Sequence, residues 1–304
     1  MFFCAIYTKF HSKMNKLALG TVQFGMNYGL SNPNGVVGME EVARIISVAG
    51  INGVKVLDTA VGYGDSERCL GSVGVESYRV ITKLPPIPNV DDLEGWIMST
   101  IKGSLARLKI SKLEAVLLHS SADIIGPKAS EYQAAMHALK ERGFCNSVGV
   151  SIYSPNELDM IWDHRSQWRP DLIQAPLNVF DRRIASSGWL EKLSNENIKV
   201  HARSVFLQGL LLMAPKQIPD YFSRWRKLLD EWFGWCQSNN VTPLQAALGF
   251  VNYYDEVENI VVGALSAKQL MEICDGIFAK SPLPPVNLEC NDLDLIEPPH
   301  WRIK

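Results

Sequence analysis

Short apolar runs rich in β-branched residues alternate along the chain with segments in which apolar residues recur every three to four positions. The runs predict strands at Leu17–Thr21, Val54–Asp58, Arg79–Lys83, Leu113–His119, Val148–Ser151, Leu172–Leu177, Lys199–Ser204 and Asn259–Gly263. Helical periodicity lies between them. Val42, Ile45, Ile46 and Ala49 share one face in the first intervening segment, and Leu93, Ile97, Ile101, Leu105 and Leu108 do so in the third. The strands start about 25 to 37 residues apart, the spacing of βαβ units, until a last gap of about 60 leaves room for extra helix. In that gap Thr242–Pro243 reads as an N-cap followed by proline in the first turn, predicting a helix over Leu244–Tyr253.

Eight strand–helix units predict an α/β fold whose parallel sheet closes on itself, a (β/α)8 barrel of the TIM type in a single domain. An open doubly wound sheet would also alternate. Its G-x-G-x-x-G fingerprint after the first strand is missing, however, and the strand runs instead into Gly20-Thr21-Val22-Gln23-Phe24-Gly25. Residues 1–13 carry neither periodicity and read as an N-terminal extension to a barrel domain over 14–304. The Pro-rich segment from about Lys280 reads as a tail over the barrel mouth, with one helical turn within Asn291–Ile296.

Composition narrows the function classes. The 304 residues are 47% apolar and 20% charged, which excludes intrinsic disorder. Thirty Lys+Arg against 32 Asp+Glu leave a net charge of −2, so nothing in the charge favours nucleic acid or an anionic membrane as partner. No run of 18 apolar residues predicts a membrane span. Six scattered cysteines without a C-x-x-C pair predict reduced thiols, a cytoplasmic location and no metal site.

In a closed parallel barrel, chemistry belongs at the C-terminal ends of the strands. Asp58, Lys83 and His119 close the second, third and fourth strands, and Tyr63 stands in the loop after Asp58. Singly, each has an ordinary explanation: a turn carboxylate, a solvated lysine, a packing tyrosine, a satisfied core histidine. Together, around one mouth, they make sense as a proton-donating phenol. A free phenol with pKa near 10 is a poor acid at neutral pH, and an adjacent ammonium stabilises its phenolate. Asp58 would hold Lys83, Lys83 would act on Tyr63, and neutral His119 would orient a carbonyl oxygen.

These residues sit in motifs that resemble the aldo-keto reductase superfamily from about Leu17 to Trp301. The motifs are LALGTVQFG, VLDTAVGYGDSERCLG, ITK, LLHS, VGVSIYS, IQAPLN, SVFLQGLL and IVVGALSAKQL. The resemblance implies hydride transfer from a nicotinamide to an aldehyde or ketone, with Asp58, Tyr63, Lys83 and His119 as the catalytic tetrad. It implies NADP as the default cofactor, with NAD also open. A small carbonyl compound, for instance one derived from a sugar, is the expected partner, and the state a monomer or small homo-oligomer.

On the cofactor side the resemblance assigns Gly20, Thr21 and Asp58, then Ser151 and Gln174 as carboxamide ligands. Ser204, Gln208, Gly209 and Leu210 are assigned to the pyrophosphate loop, and Gly263, Lys268 and Gln269 to the adenosine end. Four positions depart from the pattern, one of them Leu265 in place of the basic residue often found just after Gly263. Ile152 and Ile273 stand where the family has Asn, and Arg203 replaces the aromatic that stacks on nicotinamide. Substrate contacts are expected from Phe24, Tyr28, Asn178, Phe180, Arg182, Phe206 and Trp301, together with Val205. Two alternatives stay open: the departures allow a cofactor-binding scaffold or sensor with little turnover, and the same acid–base set would also serve a sugar-modifying lyase or epimerase using bound nicotinamide.

Overall fold

The computed structural model describes residues 16–86, 88–163 and 169–303. The expected extension over residues 1–13 lies outside them. Eight strands form a closed, all-parallel barrel in sequence order. They are β1 (Leu17–Gly20), β2 (Val56–Asp58), β3 (Arg79–Leu84), β4 (Leu113–Leu118), β5 (Cys145–Ser151), β6 (Leu172–Pro176), β7 (Lys199–Arg203) and β8 (Val257–Gly263). The ring closes where β1 pairs with β8, from Leu17 opposite Ile260 to Gly20 opposite Gly263.

Helices follow the strands in turn: α1 (Met39–Ile51), α2 (Ser66–Val73), α3 (Leu93–Leu108), α4 (Ala129–Glu141), α5 (Pro155–Asp163), α6 (Trp189–Asn195), α7 (Arg226–Ser238), α8 (Pro243–Asn252) and α9 (Ala267–Gly276). The long gap before β8 holds two of them, α7 and α8. The second starts at a capping box: Thr242 accepts from the Gln245 backbone N–H while Gln245 accepts from that of Thr242.

The two faces of each strand build two cores. Outward residues such as Leu17, Leu19 and Leu57 join the apolar faces of the helices in one large cluster. Inward residues form a separate apolar plug of Ala18, Val56, Ile81, Ala115, Leu117 and Leu172. The plug matters for function, because it fills the barrel below the strand ends and separates the cavity at the C-terminal mouth from the opposite end of the barrel.

The tail does not cover that mouth. Arg182 donates to the carbonyls of Pro284 and Pro285, Tyr221 donates to that of Asp294, and Trp301 packs edge-on against Phe222. None of the described tail residues lines the mouth cavity. Its apolar side chains instead cover the flank of the barrel beside the segment leading into α7, and its helical turn is Leu293–Ile296.

Candidate active site

The mouth opens into a cavity of about 400 Å³ lined by the C-terminal ends of the strands and the loops that follow them. Asp58 is the last residue of β2, Lys83 lies within β3, and His119 follows β4 directly. Tyr63 is held by the turn that connects β2 to α2. That turn packs so closely on the loop after β1 that a Cβ on Gly25 would fall 1.9 Å from the Tyr63 carbonyl oxygen. Gly64 adopts φ +54, a conformation that favours glycine. Ser66, at the start of α2, locks the same junction: its hydroxyl donates to the Thr21 carbonyl and lies 2.9 Å from Thr21 Oγ1 and 3.0 Å from Thr59 Oγ1.

Lys83 is 1% exposed. Its ammonium donates to Asp58 Oδ1 at 2.6 Å and to the Thr59 carbonyl at 2.9 Å, and it sits 5.1 Å from the centre of the Tyr63 ring. Burial works against the charge, but Asp58 and Tyr63 outweigh it and hold Lys83 above its ordinary pKa. The second carboxylate oxygen, Asp58 Oδ2, accepts from Gln174 Nε2 at 2.8 Å. Both oxygens of this buried carboxylate are therefore committed, one to a cation and one to an amide.

The His119 ring stands edge-on to Tyr63, centroids 5.9 Å apart and planes at 76°. Burial, reinforced by the positive charges of Lys83 and Arg203, pushes its pKa down from 6.5 to about 4. The imidazole is neutral at physiological pH. The sign of the linkage follows: as pH falls below about 6.5 the unfolded chain takes up a proton that folded His119 refuses until about 4, so stability is lost. Thermal unfolding from about pH 7 to about pH 5 is expected to show a smaller loss in His119→Gln than in the wild type. An equal loss in both would show that another group governs this range.

The structure brings Gly20, Thr21, Ser151, Gln174, Arg203, Ser204, Gln208, Gly209, Gly263 and Gln269 to the same cavity, together with Tyr28, Val205 and Phe206. Seven of the expected contacts do not line it. Phe24 and Phe180 are buried in the outer core, because the turns after β1 and β6 direct their rings under the helices. Leu210 joins that core as well. The Asn178 side chain is spent on its own loop: its amide donates to the Ser204 carbonyl and its oxygen accepts from the Phe180 and Asp181 N–H groups. Arg182 anchors the tail and lies over the Phe250 ring, and Trp301 donates to the Leu295 carbonyl on the flank. Lys268 is exposed, 3.9 Å from Glu272 on the same face of α9.

The start of α9 is already capped by the protein. Glu41 of α1 accepts from the Ala267 N–H at 2.7 Å, Ser266 accepts from Gln269 N–H, and Gln269 accepts from Leu265 N–H. Gln23 and Tyr153 are among the cavity residues that the sequence reading did not assign. Gln23 sits in the motif GTVQFG, and its Oε1 is buried without a partner among the described residues. Tyr153 stands in the motif VGVSIYS two positions after Ser151, a spacing that returns it to the mouth.

Among known proteins, the model of the Aldo/keto reductase family matches residues 16–283. The L-glyceraldehyde 3-phosphate reductase of Escherichia coli K12 is 25% identical over 201 residues, 58% of this chain. The chain spans 57% of that relative's length. Two solved structures share the fold. The aldo-keto reductase of Bacillus halodurans, in its holo form, is 20% identical with a TM-score of 0.70 over 88% of each chain. The glycerol dehydrogenase of Gluconobacter oxydans is 24% identical with a TM-score of 0.67 over 88% of this chain and 87% of its own.

Proposed function

The chain belongs to the Aldo/keto reductase family, and from that premise we propose that it is a nicotinamide-dependent reductase converting an aldehyde or ketone to an alcohol. The observation that carries the reading is the buried Lys83 ammonium, held between the Asp58 carboxylate and the Tyr63 ring at the wall of the mouth cavity.

The residues present fit a dinucleotide. Among the described residues Gln23 Oε1 lacks a donor and Gln174 Oε1 has no partner, and Gly20, Gly209 and Gly263 line the cavity without side chains. Ser151 and Gln174 would hold the carboxamide, and the loop Ser204–Gly209 the pyrophosphate. The choice of NADP over NAD follows the resemblance, and the Glu41 carboxylate at the start of α9 works against a 2′-phosphate there. When bound, the reduced nicotinamide supplies the hydrogen and the two electrons that reach the carbonyl carbon.

The chain's own groups deal with the carbonyl oxygen. Tyr63 donates its phenolic proton to the oxygen as negative charge develops there, and the Lys83 ammonium stabilises the resulting phenolate. Asp58 keeps Lys83 charged and aimed. Neutral His119 donates a hydrogen bond to the same oxygen, fixing the carbonyl for attack on one face. The test is stoichiometry: with a panel of small aldehydes, one NAD(P)H is expected to be consumed for each aldehyde lost. Conversion of a sugar without net NAD(P)H consumption would contradict the reductase reading.

A further inference from the structure

We propose that Arg203 forms an anion subsite beside the reacting carbonyl, so that the substrate is a small aldehyde or ketone bearing a carboxylate or a phosphate. The inference rests on the reductase reading and specifies its substrate class.

Charge balance in the cavity is the starting point. Among the described residues that line it, only Asp58, Lys83 and Arg203 carry formal charge at neutral pH. Asp58 and Lys83 neutralise each other at 2.6 Å, which leaves the guanidinium as the uncompensated charge. The other partly buried arginines are spent elsewhere. Arg183 pairs with Asp181 and Glu297, Arg107 pairs with Glu67, and Arg182 is bonded to three backbone carbonyls. Arg203 has no carboxylate partner among the described residues.

It is nevertheless held in place. Arg203 ends β7 opposite Pro176, and its carbonyl accepts from the Leu177 N–H. One Nη donates to the Ile152 carbonyl at 2.9 Å, the other to Ser204 Oγ at 3.1 Å, and the Tyr153 ring lies 4.2 Å beneath the guanidinium. Two of the five N–H groups of a guanidinium are thereby used, and three remain for a ligand. A planar fork fixed in this way matches a carboxylate or phosphate in two-point contact and loses little further freedom on binding.

Position ties the subsite to the chemistry. Arg203 lines the same cavity as Tyr63, His119 and Tyr28, and its charge bears on both His119 and Tyr28, which places the unpaired cation at the wall of the space where the carbonyl would sit. Tyr28, Tyr153 and Phe206 add aromatic walls that suit a short carbon chain between the two ends. A half-buried charge left without a counter-ion is costly, and an anionic substrate removes that cost on binding.

Two substrate pairs that differ only in charge test the proposal: 4-carboxybenzaldehyde against its methyl ester, and glyceraldehyde 3-phosphate against glyceraldehyde. For at least one pair the wild type is expected to favour the anion in kcat/KM by about 10- to 100-fold, expressed mostly in KM. The carboxylate pair and the phosphate pair separate the two anion sources. Arg203→Met should collapse that ratio towards one whatever its absolute rate, and Arg203→Lys should restore part of it as a point charge without the fork. Turnover of both members at equal efficiency by the wild type would overturn the subsite while leaving the reductase reading intact. So would a ratio unchanged in Arg203→Met, with the loss appearing as weaker NAD(P)H binding in a fluorescence titration. Turnover of no member of either pair would remove the reductase reading, and the inference with it.

Discussion

Tyr63→Phe is expected to lower kcat by about 100- to 10,000-fold, the contribution of a placed general acid, while NAD(P)H still binds. The substitution removes a single oxygen. A phenylalanine ring keeps the edge contact with His119 and the packing beneath the Lys83 ammonium, and the Lys83–Asp58 pair does not involve the hydroxyl. The turn that carries residue 63 is set by Gly25, Gly64 and Ser66 through backbone approach and the Ser66 hydroxyl bond to the Thr21 carbonyl. On the proposed function what disappears is the proton donor, whose effect would fall on the transition state rather than on cofactor affinity. Steady-state kinetics beside a fluorescence titration separate the two. Wild-type turnover in this variant would remove Tyr63 from its role.

Lys83→Met is the second large effect, and it reaches stability as well as rate. The Asp58 carboxylate is buried at the inner end of the cavity, and without Lys83 its remaining partner is the Gln174 amide. Removing one member of a buried ion pair costs about 3–5 kcal/mol, because the other is left without compensation. Urea unfolding should register that loss directly. The double variant Asp58→Asn with Lys83→Met should recover part of the stability, since neither charge then remains buried, yet stay inactive because no ammonium stands beside Tyr63. A Lys83→Met protein as stable as the wild type would mean that the pair contributes nothing to holding the strand ends together. Recovery of activity in the double variant would show that the chemistry does not need the ammonium.

The barrel was legible because its strands are buried on both faces, so each reads as an unbroken apolar run of β-branched residues. Val54–Asp58 and Val148–Ser151 shifted by a few residues because strand limits are set by ladder pairing, as between Gly149 and Leu172, and pairing leaves no local mark. Asp58, Lys83 and His119 stood out for a related reason: a polar side chain at the end of an apolar run has no packing explanation once several such runs converge.

The substrate loops were read less well. Phe24, Asn178, Phe180, Arg182 and Trp301 are residue types that serve a pocket or a core equally, and the turn geometry that sends each inward depends on contacts far away in sequence. The Arg182 guanidinium, for instance, meets carbonyls about a hundred residues downstream, at Pro284 and Pro285. Tyr153 left no mark in the sequence for the opposite reason, since its ring packs against Arg203, fifty residues away in the chain, rather than against anything local. Arg203 itself stood out in the sequence as a departure, but its missing counter-ion becomes visible only once the cavity is assembled.

The central claim is that the carbonyl carbon receives hydrogen from nicotinamide within this cavity while Tyr63 supplies the proton. Turnover of an accepted aldehyde with NAD(P)H deuterated at the transferable position of C4, followed by mass spectrometry of the alcohol, addresses it most directly. The predicted result is one deuterium on the former carbonyl carbon in the wild type, with almost no product from Tyr63→Phe under the same conditions. Alcohol formed without deuterium, or labelled equally fast by the variant, would contradict it.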